Sequence, residues 1–461
     1  MWFRSFGFVM SVCLCGALLI GCAGGGSSET HAAGAIPVAG SQAVGGVVQG
    51  GVRRTASAPT CSAVGFDSFL GGADFNVAAG TAAGVLAGHA NEACDAYSGI
   101  GAGNMNSISS GDVALYSFIG AGDGNTITSG AEYGFVGGGH NNTLTGSTGA
   151  IGGGVGNQNA GTNAMLGAGQ SNSITSAGKD TVLGGGSTNT VSAEYGVIAG
   201  GLNNSVSGEA GYIAAGGYNT VSGIGAVIDG GFNNTAAGDY GTIPGGYVNS
   251  AAGIYSFAAG ARASAAQNGA FVWSDGSDGD TILTSVRAYQ FLARASGGFT
   301  LWTNAASTVG ATLAPGSGTW ASASDRNMKT DVVRVDDAAV LEKIASLPIN
   351  RWSYITERGV RHVGPMAQDF YAAFGVGEDE KHITSIDEDG VALAAIKALH
   401  AENETLRSQA LKSSRVQQSL RAQLVAVTNS QDLRARQQAR LDAAMQRELQ
   451  RLSLKVASLE R

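Results

Sequence analysis

Apolar residues recur along the middle of the chain with a period too long for any single helix or strand. Asparagine marks the phase: Asn76, Asn91, Asn106, Asn125, Asn142, Asn157, Asn172, Asn189, Asn204, Asn219, Asn234 and Asn249 are separated by 15 residues in eight gaps, 17 in two and 19 in one. Six positions before each marker stands a branched aliphatic, from Leu70 and Val85 through to Ile228 and Ile243. Four before is Gly or Ala, and three before is Gly in every unit but the first, which has Ala73. The unit "GVIAGGLNNSVSG" (196–208) holds two apolar runs too short for a helix, separated by Gly-Gly and Asn-Asn. Glycine supplies positive φ and asparagine tolerates it. Each unit therefore predicts two brief strands and two tight turns, one rung of a parallel β-solenoid. Its aliphatics stack into an inner column because one rung cannot bury them alone. All length variation falls between a marker and the next aliphatic, so the inserts decorate one edge.

The pattern then changes. Alternating apolar residues in "RAYQFLARASGGFTLWTN" predict a β-rich neck over 261–323, after head repeats spanning 61–260. The "DGSDGD" at 275–280 lacks the spacing and bidentate Glu of an EF-hand and reads as an exposed turn. From Ser324 the chain becomes mixed: "DDAAVLEKIASLPI" has helical spacing with acids first and a Pro stop. After Asp389 a 3/4 spacing runs Ile396, Leu399, Asn403, Leu406 to Val427, and again Met445, Leu449, Leu452, Val456, Leu459. This predicts a coiled coil over 396–461, with Asn403 as a polar, register-setting core residue. A helix packed on its own domain is the alternative. The fold class expected is mainly β: a parallel β-solenoid, then the neck, an α+β domain over 324–408 and the coiled coil.

Composition narrows the function. The 461 residues include 73 Gly, not at every third position, which excludes collagen. The net charge is −8, and from Cys61 to Gly260 there is no arginine and one lysine, Lys179, so nucleic acid is excluded as a partner of the shaft. Acids in the same stretch are sparse and share no repeat phase, which argues against a surface glycosidase with its paired carboxylates. No CxxC pair or His/Cys cluster suggests a metal, and no cofactor is implied.

The start "MWFRSFGFVMSVCLCGALLIGC" (1–22) has a cation, an apolar run and small residues, the pattern of an export signal. Its ending "LIGC" resembles a bacterial lipobox, which implies lipidation of Cys22 and an outer-membrane or cell-surface location. Ordinary cleavage near "CAGGG" is the alternative. No other apolar run approaches the ~20 residues that span a bilayer, so the lipid would be the only membrane contact. Residues 23–60, mostly Gly, Ala, Ser and Val, read as a flexible tether. In an oxidising compartment Cys61 and Cys94 could pair. About two rungs separate them, ~9–10 Å at strand spacing, beyond the ~7 Å that a bridge spans. Pairing requires Cys61 to sit on an irregular cap that folds back, and both states stay open.

Two resemblances add to this reading. The G-G-x-N-N-[ST]-V-[ST]-G core over about Leu70–Gly260 resembles the head repeats of trimeric autotransporter adhesins, although no C-terminal membrane β-barrel follows. That implies a homotrimer of rolls packed side by side. SDRNMK, GPMAQDF and DGVALAAIKAL, in this order from Ser324, resemble the endosialidase-type intramolecular chaperone domain of phage tail spikes and some bacterial surface proteins. The resemblance implies a C-terminal module that assists trimer assembly and then removes itself. On this chain it makes Ser324 the nucleophile, Lys329 the base and Ala323–Ser324 the scissile bond, in an autocatalytic serine endopeptidase of a single turnover. A serine hydroxyl needs an adjacent base to attack. Whether it attacks its own preceding carbonyl or a neighbouring chain's stays open. The spacing alone argues against contact: on a helix the two side chains lie ~140° apart, and on a strand they take opposite faces. Only a bend at Ser-Asp-Arg-Asn joins them. The rival reading is a structural adhesin whose C-terminal domain trimerises without cleavage.

Overall fold

The computed structural model describes residues 61, 64–72, 75–108, 114–128 and 130–460. The leader, Cys22 and the tether lie outside them. The chain divides into two compact units, the first running to Leu301 and including Ala311–Ala321, the second comprising Trp302–Gly310 and Ser322–Arg461.

The first unit is a parallel β-solenoid. Strands of two residues from successive rungs build two sheets, one of 15 strands and one of 14, in which neighbours are always equivalent positions of adjacent rungs. The aliphatic sheet begins with Phe69–Leu70 and carries the branched residue six before each marker; the asparagine sheet begins with Val77–Ala78 and carries the residue two after it. Typical registers are Val197↔Tyr212 with Ile198↔Ile213, and Ser205↔Thr220 with Val206↔Val221. The longest gap does not disturb this, since Ile100 still pairs with Ile119 and Ser107 with Thr126. In nearly every strand the second residue is buried and the first is not. Ile151, Leu166, Leu183 and Ile198 stack in one column and Ile127, Leu144, Ile174 and Val191 in another, all at 0–1% exposure. The core is thus two apolar columns supplied one residue at a time.

The asparagines do something the sequence pattern did not suggest. Positive φ falls on the residue before each marker, such as Met105, Asn141, Ser171, Asn203 and Tyr218 at 51–58°. In an Asn-Asn pair the first asparagine therefore turns the chain. The second is buried: the markers from Asn91 to Asn249 are at most 1% exposed. Each forms a link in an internal ladder. Asn172 Nδ2 donates to the carbonyls of Ala168 (3.2 Å) in its own rung and Gly186 (2.9 Å) in the next. Its Oδ1 accepts from the backbone N–H of Asn189 at 3.0 Å. The buried amide thus satisfies turn groups that neither sheet pairs. The glycine three before each marker serves the same turn: Gly169 has φ 110°, and a Cβ there would lie 2.1 Å from the Gly186 carbonyl and 2.6 Å from Asn172 Nδ2. Only glycine meets both demands.

The solenoid does not stop at residue 260. Phe257–Ala261, Phe271–Asp275 and Phe291–Arg294 extend the aliphatic sheet in parallel register. Ala263–Ala265 and Leu283–Thr284 extend the asparagine sheet. The marker disappears after Asn249, but Ala258, Ala263, Ala265 and Val272 remain fully buried, so the core pattern outlasts the phase marker. Only the later part of the expected neck, Phe299–Trp302, Gly310–Leu313 and Trp320–Ser322, forms a separate three-stranded sheet. The acidic turn is tied down by its own rungs. Asp278 pairs with Arg294, Asp280 with Arg262 at 2.7 Å, and Asp275 accepts from the Ser296 N–H at 2.6 Å. The Ser296 bond, with those from Ser277, holds the Asp275 carboxyl well below the usual carboxylate range.

In the second unit, α1 (Asp337–Ser346), α2 (Ala367–Phe374) and α3 (Ser385–Leu459) accompany a hairpin of Asn350–Trp352 with His362–Gly364. Asp336 caps α1, accepting from the N–H groups of Ala338 and Ala339; Thr384 caps α3, accepting from that of Asp387. Val340 of α1 packs with Ala394 and Ala395 of α3, with Phe374 against them. The helix therefore starts four residues ahead of Asp389, and its first turns belong to this small core.

Candidate active site

A single turn decides the geometry around Ser324. Asp325, in extended conformation (φ −65°, ψ 134°), accepts from the Asn327 N–H at 2.9 Å and from Asn327 Nδ2 at 3.1 Å. This Asx contact starts a 3₁₀ turn over Arg326–Met328, closed by Met328 N–H to Asp325 O (3.1 Å) and Lys329 N–H to Arg326 O (3.2 Å). Lys329 leaves it extended (φ −115°, ψ 142°). The result brings together two residues that no regular element could join: Lys329 Nζ donates to Ser324 Oγ at 2.6 Å. Both side chains are exposed in the single chain. Ala323, on the other side of the candidate bond, is held by its N–H to the Gly310 carbonyl at 3.2 Å.

Asp325 and Asn327 are the turn formers their sequence suggested. His362 lies in the hairpin and stacks on Trp352 with ring centroids 4.6 Å apart; Tyr354 meets both edge-on. Trp352 Nε1 and His362 Nε2 are buried without a hydrogen-bond partner. This three-ring cluster was not anticipated, since nothing in "RWSYI" (351–355) or "RHVGP" (361–365) announces the antiparallel register that sets Trp352 opposite His362. Gln368 lies in the first turn of α2, and Asp387, Asp389 and Gly390 in the first turns of α3. Asp379 accepts from the Lys381 N–H (2.7 Å) and from His382, which holds its carboxyl below the usual range.

Cys61 and Cys94 form a disulfide with Cα atoms 5.9 Å apart. Cys94 lies three positions after its marker, a column that continues through Ala79 to Val64. Cys61 is three residues short of that column and outside any strand.

Residues 324–376 match the family model described as the chaperone of endosialidase, a peptidase family, and the match begins at Ser324 itself. SDRNMK and GPMAQDF fall inside it, while DGVALAAIKAL lies just beyond. No curated protein matches the chain. The molecule is thus a fibre-like β-solenoid followed by a chaperone-of-endosialidase domain.

Proposed function

We propose that the chain is an exported surface fibre of three identical copies, whose C-terminal domain aligns the copies and then cuts itself off at Ala323–Ser324. The observation that carries the reading is the 2.6 Å contact of Lys329 Nζ with Ser324 Oγ at the first residue of the family match. In the reacting form the contact runs the other way, with the hydroxyl donating to a neutral amine. Lys329 takes the Oγ proton as Oγ bonds to the Ala323 carbonyl carbon. The Ala323–Ser324 C–N bond then breaks, and its nitrogen takes the proton back and leaves as the new N-terminus of Ser324. Water hydrolyses the resulting ester and frees both fragments. A lysine serves as base only where burial or neighbouring cations favour its neutral form. In the isolated chain Lys329 is exposed, so the cover comes from adjoining copies. The seam Ile396, Leu399, Leu406, Leu420 and Leu424 is 49–67% exposed and supplies a coiled coil to bring those copies together. A lipid on Cys22 anchors the fibre to the outer membrane. Among the described residues no helix is long and apolar enough to cross a membrane.

The test is intact mass analysis and light scattering on the full chain beside Ser324→Ala and Lys329→Met. The expected product is a fragment of residues 324–461 from the wild type only. Hydroxylamine, which cleaves esters, should hasten its release. An intact wild-type trimer would leave a structural fibre with an uncleaved trimerising domain.

A further inference from the structure

The two outward faces of the solenoid differ in chemistry along their whole length. On the asparagine sheet the outward columns one and three after each marker are mostly hydroxyl: Thr126 and Thr128, Thr143 and Thr145, Thr190 and Ser192, Ser205 and Ser207. On the aliphatic sheet the outward column just before each branched residue is apolar. Phe118, Phe135, Met165, Val182 and Tyr212 stand on it 36–55% exposed in the single chain. The second outward column beside them is glycine in most rungs, from Gly101 and Gly120 to Gly184; a Cβ at Gly120 or Gly152 would lie 2.4 or 2.2 Å from the carbonyl of the next rung, so these glycines serve the stacking of the rungs and keep the column free of side chains. Of these two columns only Asp229 carries a charge.

We infer that the outward face of the aliphatic sheet is where the copies of the fibre meet along the solenoid, with the hydroxyl face turned to solvent. The inference rests on the trimer proposed above and adds the surface that makes it. Three features favour another copy of this chain as the occupant. A partner covering this face must repeat at strand spacing through 15 rungs, as this chain does. The strip is ~67 Å long and ~10 Å wide, on the order of 700 Å², close to the ~800 Å² per partner of a stable interface. Its weak charge also lets identical faces approach one another without repulsion.

The experiment compares thiol labelling in the full chain at four single substitutions: Val197→Cys and Val227→Cys on the aliphatic sheet, Thr190→Cys and Thr220→Cys on the asparagine sheet. All four positions are half-buried in the single chain and open their two-residue strands, so the rung itself shields them alike. Labelling with a maleimide is read by mass at each substituted peptide, and light scattering is run on the same samples. The expected result is a trimer that labels at least about tenfold more slowly at 197 and 227 than at 190 and 220. A trimer labelling equally at all four, or more slowly at 190 and 220, overturns the assigned face and leaves the trimer standing. A monomer overturns both.

Discussion

Replacing Asn172 by alanine tests whether the buried asparagines hold the solenoid together. The deletion removes three donations by Nδ2, to Ala168 O, Gly186 O and Asn157 Oδ1, and the acceptance by Oδ1 of both the Asn189 backbone N–H and Asn189 Nδ2. These losses are unequal. The Gly186 carbonyl keeps the Gln170 N–H at 2.9 Å, and Asn157 Oδ1 keeps the Asn172 backbone N–H at 3.0 Å. The Asn189 N–H has no other acceptor and is left orphaned in the core, at about 1–3 kcal/mol. With roughly 1 kcal/mol for each shared bond lost and the void left by a fully buried amide, the sum is about 3–5 kcal/mol. A repeat array does not unfold as one two-state body, so a single melting curve is the wrong readout. Amide exchange measures opening rung by rung. Protection should fall by two to four orders of magnitude (~1.4 kcal/mol per tenfold) at Asn189 and its neighbours in the adjoining rungs, and little near Asn91. A loss below about 1 kcal/mol at Asn189, the range of an ordinary surface substitution, would refute the claim that the ladder stabilises the fold.

Other outcomes follow from the same structure. Reducing Cys61–Cys94, or Cys61→Ser, releases a loop of sequence separation 33 and should loosen the first rungs by about 3–4 kcal/mol, seen as exchange confined to roughly residues 64–93; unchanged protection there counts against the bridge as an end staple. Asp275→Asn should destabilise the last rungs. Because the folded carboxyl titrates below its usual value, the Asp275 contribution is present above the unfolded pKa of ~3.9 and is lost as pH falls through the folded one. The wild-type and variant chains should therefore differ in Ser296 protection at pH 6 and converge towards pH 2; a gap that does not change with pH speaks against the carboxylate. Dilution should melt α3 beyond its first turns, because a helix of 75 residues whose leucines all face solvent needs partners. Helical circular dichroism that does not depend on concentration would argue for a helix standing alone.

What could be read from the sequence depended on whether a residue's role repeats. The aliphatic column was legible because each rung restates it, and it predicts both sheets and their register. The asparagine was legible as a phase and misread as a turn former: Asn203 and Asn204 look alike in sequence, and only the fold shows that one takes positive φ while the other turns inward. The end of the solenoid was set too early because the marker is lost after Asn249 while small buried residues carry the core on to Val272. Ser324 and Lys329 were nameable only by family likeness. Their approach depends on one Asx contact at Asp325, whose geometry no periodicity encodes.

The same repetition explains why a fibre of this kind carries a non-repeating domain. A shift of one copy against another by a single rung places Gly on Gly and Phe or Val on another small or apolar residue, so the outward face of the aliphatic sheet hardly distinguishes correct axial alignment from a slip of ~4.8 Å. Only the inserts after Asn106, Asn125 and Asn172 mark position along the roll, and they decorate a turn edge instead of the proposed contact face. Within one chain this ambiguity is removed by connectivity, and the first rung is stapled by the disulfide while the last are tied by Arg262, Asp275 and Arg294. Between chains nothing in the repeats does the equivalent. Alignment must come from a segment whose side chains differ from turn to turn, and α3 has that character, with Asn403 interrupting a leucine seam. In the trimer proposed above, each copy would be held by contacts distributed over all its rungs once the long parallel ladders have formed in register, so the proposed cut at Ser324 would remove the aligning segment without loss.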